Sequence, residues 1–274
     1  MISIITPVFN AGKYIEACIE NVASQWTEGI EHLILDGGST DETIKIVEEK
    51  ARQYPYIRWW SEKDKGQSDA MNKGINRASN PIVSFLNADD HYEAGCLKRV
   101  MEEFQTLQNP AFLVGNCRVL KEDGSVYMIN KPWPFDRVLF MMDYNFPFNP
   151  SAYFYHKSIH NLVGFYDEND HLTMDIDFLF RLPPTVQIKY IDEVLGNYVM
   201  VSNSKTMQEI SAGRNVENLR TVFARYIPQL RFSEKIRLAF HRSLGKNRGW
   251  VLYYLENPGA AIQRLIQRGR EKVG

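Results

Sequence analysis

Residues 82–90 read Ile82-Val83-Ser84-Phe85-Leu86-Asn87-Ala88-Asp89-Asp90, a largely apolar run that stops abruptly at a polar, acidic turn. A short run of this kind suits a central strand covered on both faces, and Pro81 marks its entry. Working outward, short β-branched runs alternate with longer amphipathic ones. Ile2-Ser3-Ile4-Ile5-Thr6-Pro7-Val8 reads as the first strand, turned by Asn10-Ala11-Gly12. A helix follows, with Tyr14, Ile15, Cys18, Ile19, Val22 and Ala23 on one face at helical spacing. Residues 31–36 form the next predicted strand, and Ser39 with Glu42 suggests a capping box opening a helix to Gln53. Strand 57–61, helix 68–78 and helix 96–107 complete the alternation, and 112–120 with 125–129 suggests a hairpin across Glu122-Asp123-Gly124. Alternating βα units imply a mostly parallel α/β sheet flanked by helices.

The second half is less regular. Pro132-Trp133-Pro134 and Phe146-Pro147-Phe148-Asn149-Pro150 read as aromatic, proline-rich loops that shape a pocket, with Trp133, Phe146 and Phe148 as stacking candidates. A short helix over 176–182 and a strand over 186–191 follow, and from Lys205 onward the chain reads as helices. The expected division is a catalytic domain over 1–204 and a basic helical extension over 205–274.

With 274 residues, 44% hydrophobic and 24% charged, the chain can bury a substantial core, which excludes disordered, collagenous and disulfide-scaffold classes. Cys18, Cys96 and Cys117 lack metal-ligand spacing and read as buried thiols in a reducing compartment. His156, His160 and His171 show no metal spacing either and read as packing or surface residues. No apolar run approaches the roughly 18 residues of a membrane span, and the first residues read as a strand instead of a signal peptide, so a cytoplasmic protein is expected. The net charge of −1 hides an asymmetry: from Arg225 onward eleven bases face three acids, a net of +8, which leaves −9 for the rest. Basic residues interleaved with Ile227, Leu230, Phe232, Ile236 and Trp250 suit helices lying on an anionic membrane; helices packed on the core with a solvated basic face fit equally. Nucleic acid is not expected, because the rest of the chain is acidic.

In open α/β sheets, ligands bind beyond the carboxyl ends of the strands. Thr6, Pro7 and Asn10, then Asp36, then Asp89 and Asp90 fall there. No glycine-rich dinucleotide fingerprint follows the first strand and no phosphate-binding loop with lysine occurs, which removes the main support for dehydrogenase and P-loop readings. Acids beside a phosphate site call for a divalent cation, Mg²⁺ or Mn²⁺, which takes one or two carboxylates plus substrate phosphates. Asp89 or Asp90 could anchor it; an Asx-turn or helix cap explains the same pair.

Three motifs, Ile4-Ile5-Thr6-Pro7-Val8-Phe9-Asn10, Leu35-Asp36-Gly37-Gly38-Ser39-Thr40-Asp41 and Phe85-Leu86-Asn87-Ala88-Asp89-Asp90, stand in this order and spacing. With Glu62-Lys63-Asp64-Lys65-Gly66-Gln67-Ser68-Asp69-Ala70-Met71-Asn72, Val163-Gly164-Phe165-Tyr166-Asp167-Glu168 and Asp175-Ile176-Asp177-Phe178-Leu179-Phe180-Arg181, they resemble the family-two inverting glycosyltransferases. The resemblance covers residues 1 to about 205 and implies a GT-A fold, Rossmann-like, with a mixed sheet of mostly parallel strands.

The resemblance further implies a nucleotide-diphospho-sugar donor and a saccharide or lipid-linked saccharide acceptor, in bacterial surface polysaccharide assembly. Thr6, Pro7 and Asn10 would form the nucleotide pocket, and Asp36 would accept a hydrogen bond from base or ribose. Asp64, Lys65 and Asn72 would lie near the diphosphate or donor sugar. Asn87 and Ala88 would lie beside the ribose, Asp89 would carry the cation, and Asp175 would be the catalytic base. The family often has a second aspartate where this chain has Gly37, and an aspartate where it has Asn87. Asp177 competes with Asp175: on a helix the two point apart, and both also suit a helix N-terminus as such. A catalytically silent nucleotide-sugar-binding module and a nucleotidyltransferase are the alternative readings.

Overall fold

The computed structural model describes residues 1–143, 145–170, 172–202 and 204–244; His171, Asn203 and the tail with Trp250 lie outside the described residues. The first half is β1 (Ile2–Val8), α1 (Ile15–Ala23), β2 (Ile30–Asp36), α2 (Thr43–Gln53), β3 (Ile57–Ser61), α3 (Gln67–Arg77) and β4 (Ile82–Phe85). Then come β5 (His91–Tyr92), α4 (Cys96–Phe104), β6 (Ala111–Lys121), β7 (Val126–Asn130), α5 (Arg137–Asp143), β8 (Tyr153–His156), α6 (Ile159–Val163), α7 (Met174–Arg181) and β9 (Gln187–Met200). Helices α8 (Lys205–Ser211), α9 (Asn215–Tyr226) and α10 (Phe232–Leu244) end the described chain.

The sheet runs β3-β2-β1-β4-β8-β6-β9-β5, with β7 paired to β6. Its first four strands are parallel, as the alternating pattern predicts, whereas β4–β8, β6–β8, β6–β7 and β5–β9 pair antiparallel. The period of two along β1 distributes the core. Ile2 and Ile4 pack with Cys18, Val22, Leu97 and Val100 under α1 and α4. Ile5 faces the other way and packs with Ala70, Met71 and Ile75 of α3. Gly74 is what lets α3 approach this closely, since a Cβ there would lie 2.3 Å from the Ile5 side chain. Because β2 and β4 flank β1, with α1 and α3 on opposite faces, the crevice between the carboxyl ends of β1 and β4 is a topological switch point.

Sequence reasoning missed or misplaced several features. The capping box does not form: Glu42, not Ser39, is the N-cap residue of α2, and its side chain makes no cap bond. Asp41 starts the helix instead, accepting from the backbone N–H of Thr43 at 3.0 Å and from Gly12 N at 3.0 Å. β8 is a fully buried four-residue strand hidden behind proline-rich sequence, and β9 extends well beyond the predicted 186–191. Among the described residues the segment from Lys205 to Leu244 is mostly helical, as expected, and α9 packs on α7, with Tyr226 stacked on Phe180 at 4.9 Å. All three cysteines are free and buried, in keeping with the thiol reading. His156 and His160 are core residues, accepting from Ala111 N and bonded to the Tyr155 hydroxyl.

Candidate active site

The loop after β2 is held by its own side chains. One oxygen of Asp36 accepts from Gly38 N at 2.9 Å, Ser39 N at 3.0 Å and the Ser61 hydroxyl at 2.7 Å, and the other accepts from the Ser39 hydroxyl. A carboxylate offers about four acceptor sites, and Asp36 is 3% exposed. Much of its acceptor capacity is therefore engaged by the loop. Asn10, at φ 50°, accepts from Thr40 N at 2.9 Å and donates its own N–H to the Ser39 hydroxyl. It clamps the same loop. Thr6 points to the α1 face by strand alternation, where its hydroxyl meets His32 Nε2 at 2.8 Å with no exposed surface. Position 6 can thus offer a ligand only its main chain. Pro7, on the opposite face, is half-buried.

The start of α3 joins the separate motifs. Gln67 Nε2 donates to Asn87 Oδ1 at 3.0 Å, and the Ser68 hydroxyl donates to the Asp170 carbonyl at 2.5 Å. Lys65 pairs with Glu168 at 2.7 Å. Asn72, 8% exposed, donates to the Tyr166 carbonyl at 2.9 Å and accepts the Tyr166 N–H at 3.0 Å. Asn72 is therefore a clamp between α3 and the segment preceding α7. Gln67, Ser68 and Asp170 escaped the sequence reading because a long-range hydrogen bond leaves no local pattern. Asp64 lies against the β2 loop: its Oδ1 accepts from Gly66 N at 2.9 Å, and burial pushes its carboxyl up.

Beyond β4, the two acids separate cleanly. Asp90 is 2% exposed and accepts from Asn149 Nδ2 at 2.7 Å, Asn87 Nδ2 at 2.9 Å and Val199 N at 3.0 Å. It is a structural pin joining β4, the 3₁₀ turn Pro150–Ala152 and β9. Asn149 caps that turn, accepting from Ser151 N. Asp89, beside the half-buried Ala88, has only its own backbone N–H as partner among the described residues, and burial raises its carboxyl. Burial, and then the charge of Asp89, push the Asp90 carboxyl up. An ionised, desolvated carboxylate without partners fits a hard divalent cation that draws its other ligands from phosphates and water. Among the described residues no three His, Cys, Asp or Glu side chains cluster as a complete cage.

The acid pair on α7 separates in the same way. Asp177 accepts from Arg181 Nε at 2.9 Å and from the Tyr226 hydroxyl at 2.6 Å, tying α7 to α9. Asp175, in the first turn, accepts only from the backbone N–H groups of Ile176, at 2.8 Å, and of its own residue. Burial, aided by the charge of Asp170, pushes it up to about 6. Its charge is felt by Tyr153 and Tyr166, and Tyr153 begins β8 at the end of the sheet where β4 finishes. Asp170 itself binds Thr173 through N–H and hydroxyl. A continuous path thus runs from Asn87 through Gln67, Ser68 and Asp170 to the first turn of α7.

The aromatic candidates split: Phe146 is core, Phe148 packs edge-on against it, and Trp133 stacks on Tyr190 at 5.1 Å while half exposed. A cleft of about 370 Å³, lined by Asn21, His91, Glu93 and Arg118 among others, contains none of the expected residues.

Residues 3–164, more than half of the chain, match the model of glycosyl transferase family 2. The chain belongs to glycosyl transferase family 2. Within it, the chain is 30% identical over 202 residues to a PGL/p-HBAD biosynthesis glycosyltransferase of Mycobacterium tuberculosis, covering 72% of this chain and 76% of the relative. It is 25% identical over 215 residues to the chondroitin synthase of Escherichia coli, 77% of this chain but only 30% of that longer protein. Among solved structures, S. aureus TarS 1–349 in complex with UDP-GlcNAc superposes with a TM-score of 0.64 at 19% identity, over 92% of this chain and 75% of that one. The mannosyltransferase PcManGT from Pyrobaculum calidifontis, in complex with GDP-Man and Mn²⁺, gives 0.62 at 18%, over 96% and 75%. The family-2 fold is thereby the GT-A fold. No helix among the described residues of this family-2 chain is long and apolar enough to cross a membrane.

Proposed function

We propose that this family-2 glycosyltransferase moves a sugar from a nucleoside diphosphate donor to a hydroxyl acceptor with inversion, using Asp175 as base and Asp89 as cation ligand. The observation that carries the reading is the contrast on α7. Asp177 is locked by Arg181 and Tyr226, while Asp175 keeps a carboxyl held near neutrality with no side-chain partner among the described residues. Environments that push neighbouring acids apart in this way mark acid–base groups.

In this mechanism Asp175, ionised above pH 6, takes the acceptor proton as the acceptor oxygen bonds to the anomeric carbon. The bond from that carbon to the phosphate oxygen breaks on the opposite face, through an oxocarbenium-like state, and the nucleoside diphosphate departs. When bound, a divalent cation at Asp89 would supply positive charge against the diphosphate. Asp36 and Asn10 hold the nucleotide loop, and Gln67 with Ser68 keep the donor and acceptor sides in register.

On this reading the chain divides into a catalytic domain over 1–204 and an extension over 205–274. The names of the mycobacterial biosynthesis glycosyltransferase and the chondroitin synthase support a role in glycan assembly; we place that role in bacterial surface glycans, at the cytoplasmic face of the membrane, on a saccharide or lipid-linked acceptor. On α10, Phe232 and Ile236 are 80% and 54% exposed one turn apart, with Lys235 and Arg242 on the same helix, which favours peripheral contact with anionic lipid.

Incubation of the full chain with a panel of nucleotide sugars, Mn²⁺ and a mixture of saccharide acceptors tests the reading. Release of nucleoside diphosphate, abolished in Asp175→Asn with nucleotide binding retained, is the expected result. Pyrophosphate release would point to nucleotidyl transfer, and tight binding without any turnover to a silent binding module.

A further inference from the structure

We infer that Trp133, with Tyr190 beneath it and Lys131 and Asp192 at its rim, forms a saccharide subsite set back from Asp175, which holds a sugar ring of the acceptor behind the hydroxyl that reacts. The inference rests on the reading that the acceptor is a glycan. It begins with an aromatic side chain that the fold has fixed without burying. Trp133 is 50% exposed, yet its indole lies 5.1 Å from the Tyr190 ring and within 12° of parallel to it. One face of the indole is thus taken, which leaves the exposed area to the opposite face and the edge. The ring N–H has no partner among the described residues.

The polar rim is held as firmly. Asp192 Oδ1 accepts from Lys131 Nζ and from Asn116 Nδ2, both at 2.8 Å. The Tyr190 hydroxyl lies 2.8 Å from Asn116 Oδ1 and 3.1 Å from Asp192 Oδ1. Asn116 is 3% exposed, so this ring of bonds is anchored in the fold although Asp192 and Lys131 themselves face solvent. Asp192 Oδ2 has no hydrogen-bond partner among the described residues. Lys131, then Asn116 and Tyr190, hold the Asp192 carboxyl down, at about 2, so it stays an acceptor at any working pH.

A pyranose presents an apolar C–H face and a girdle of hydroxyls that both donate and accept. A flat indole bordered by Asp192 Oδ2, Lys131 Nζ and its own N–H matches both parts. Lys131 and Asp192 cancel in charge, which gives no pull towards an anionic membrane, and neither enters hydrocarbon without a large cost. The placement fits an acceptor as well. Tyr153 and Tyr190 both pair with Val114, from opposite sides of β6. Tyr153 and Val114 belong to the core cluster against which Tyr190 packs, so all three share one face of the sheet. The two tyrosines stand two strand spacings apart, about 10 Å. Tyr153 is the side chain that feels the charge of Asp175. The platform therefore lies on the base's side of the sheet, within reach of a short oligosaccharide.

A microarray of bacterial capsular, O-antigen and glycosaminoglycan oligosaccharides, probed with the labelled full-length protein in the absence of nucleotide and metal, tests this. Retention on a subset of the saccharides is expected, reduced at least about tenfold in Trp133→Ala and partly restored in Trp133→Phe. Asp192→Ala is expected to reduce it as well, and carries the test should Trp133→Ala fail to fold. On a retained saccharide that also serves as acceptor, Trp133→Ala raises KM at least about tenfold while kcat holds, the mark of binding shared by ground and transition states. UDP and GDP affinities stay unchanged in every variant. No retention of the unaltered protein, or equal retention of either folded alanine variant, overturns the subsite and leaves the glycosyltransferase reading intact. Vesicle binding lost in Trp133→Ala with glycan retention unchanged overturns it in favour of a membrane contact. Retention without release of nucleoside diphosphate from any nucleotide sugar upholds the subsite and overturns the transferase reading instead.

Discussion

Gln67 donates a 3.0 Å hydrogen bond to Asn87 across twenty residues of sequence, and its neighbour Ser68 reaches Asp170. The first turn of α3 thus holds the acidic turn after β4 and the approach to α7 at fixed separation. In-line displacement needs such a frame, since misplacement by about 1 Å can cost about a hundredfold in rate.

Asp175, the proposed base, is expected to set the acid limb of the pH profile. With its carboxyl pushed up to about 6, turnover is expected to fall as pH drops below 6, as the base becomes protonated. Asp175→Asn removes the limb along with at least about 10²-fold of the rate. Nucleoside diphosphate release measured from pH 5 to 8 decides it, and a flat wild-type profile would take Asp175 out of the mechanism.

The same substitution is expected to stabilise the fold. The folded-state carboxyl lies above the ordinary 3.8, so the native state keeps a proton that the unfolded chain releases. Stability from this group is present below pH 4 and is lost as pH rises towards 6. At pH 7.5, Asp175→Asn therefore gains about 1–3 kcal/mol, and at pH 4 nothing. Urea unfolding at the two pH values measures it.

Asp89 and Asp90 are expected to respond in opposite ways. Asp90→Ala leaves Asn149, Asn87 and Val199 donors without an acceptor and costs about 1–3 kcal/mol of stability. Asp89→Ala removes a desolvated carboxyl with no side-chain partner among the described residues, so the melting temperature holds or rises without metal. What Asp89→Ala loses is the extra thermal shift that Mn²⁺ adds to bound nucleoside diphosphate. Retention of that shift would place the cation elsewhere.

Asn72→Ala deprives the Tyr166 N–H and carbonyl of their partners and is expected to cost about 1–3 kcal/mol. Because Tyr166 precedes α7, the fall in kcat/KM should exceed the fall in nucleotide affinity. Equal losses in both would show that the clamp serves only the fold.

Phe232→Glu with Ile236→Glu on α10 is expected to cut co-sedimentation with vesicles containing anionic lipid several-fold while leaving nucleotide binding unchanged. Neutral vesicles should retain little of either form. Equal sedimentation of the double variant would assign these side chains to another role.

The parallel half of the sheet was legible because each of its elements carries a local period, as in Ile2–Val8 with its alternating faces. The motif acids were legible as chemistry at strand ends. The antiparallel half was not, because β8 is a four-residue aromatic strand whose partners lie some forty and seventy residues earlier in the chain. Thr6 could have been read better, since its strand parity alone turns it towards α1.

The parallel strands of the first half, their acidic termini and the family were fixed by short-range patterns that any single chain displays. Which acid of each pair is left without side-chain partners, and so open to the proposed chemistry, was decided only on folding. Asp36, Asp90 and Asp177 were claimed by donors brought from other elements, while Asp64, Asp89 and Asp175 were left desolvated without side-chain partners among the described residues. Burial and long-range hydrogen bonding set a carboxyl's proton affinity, and neither is a property of neighbouring residues in sequence.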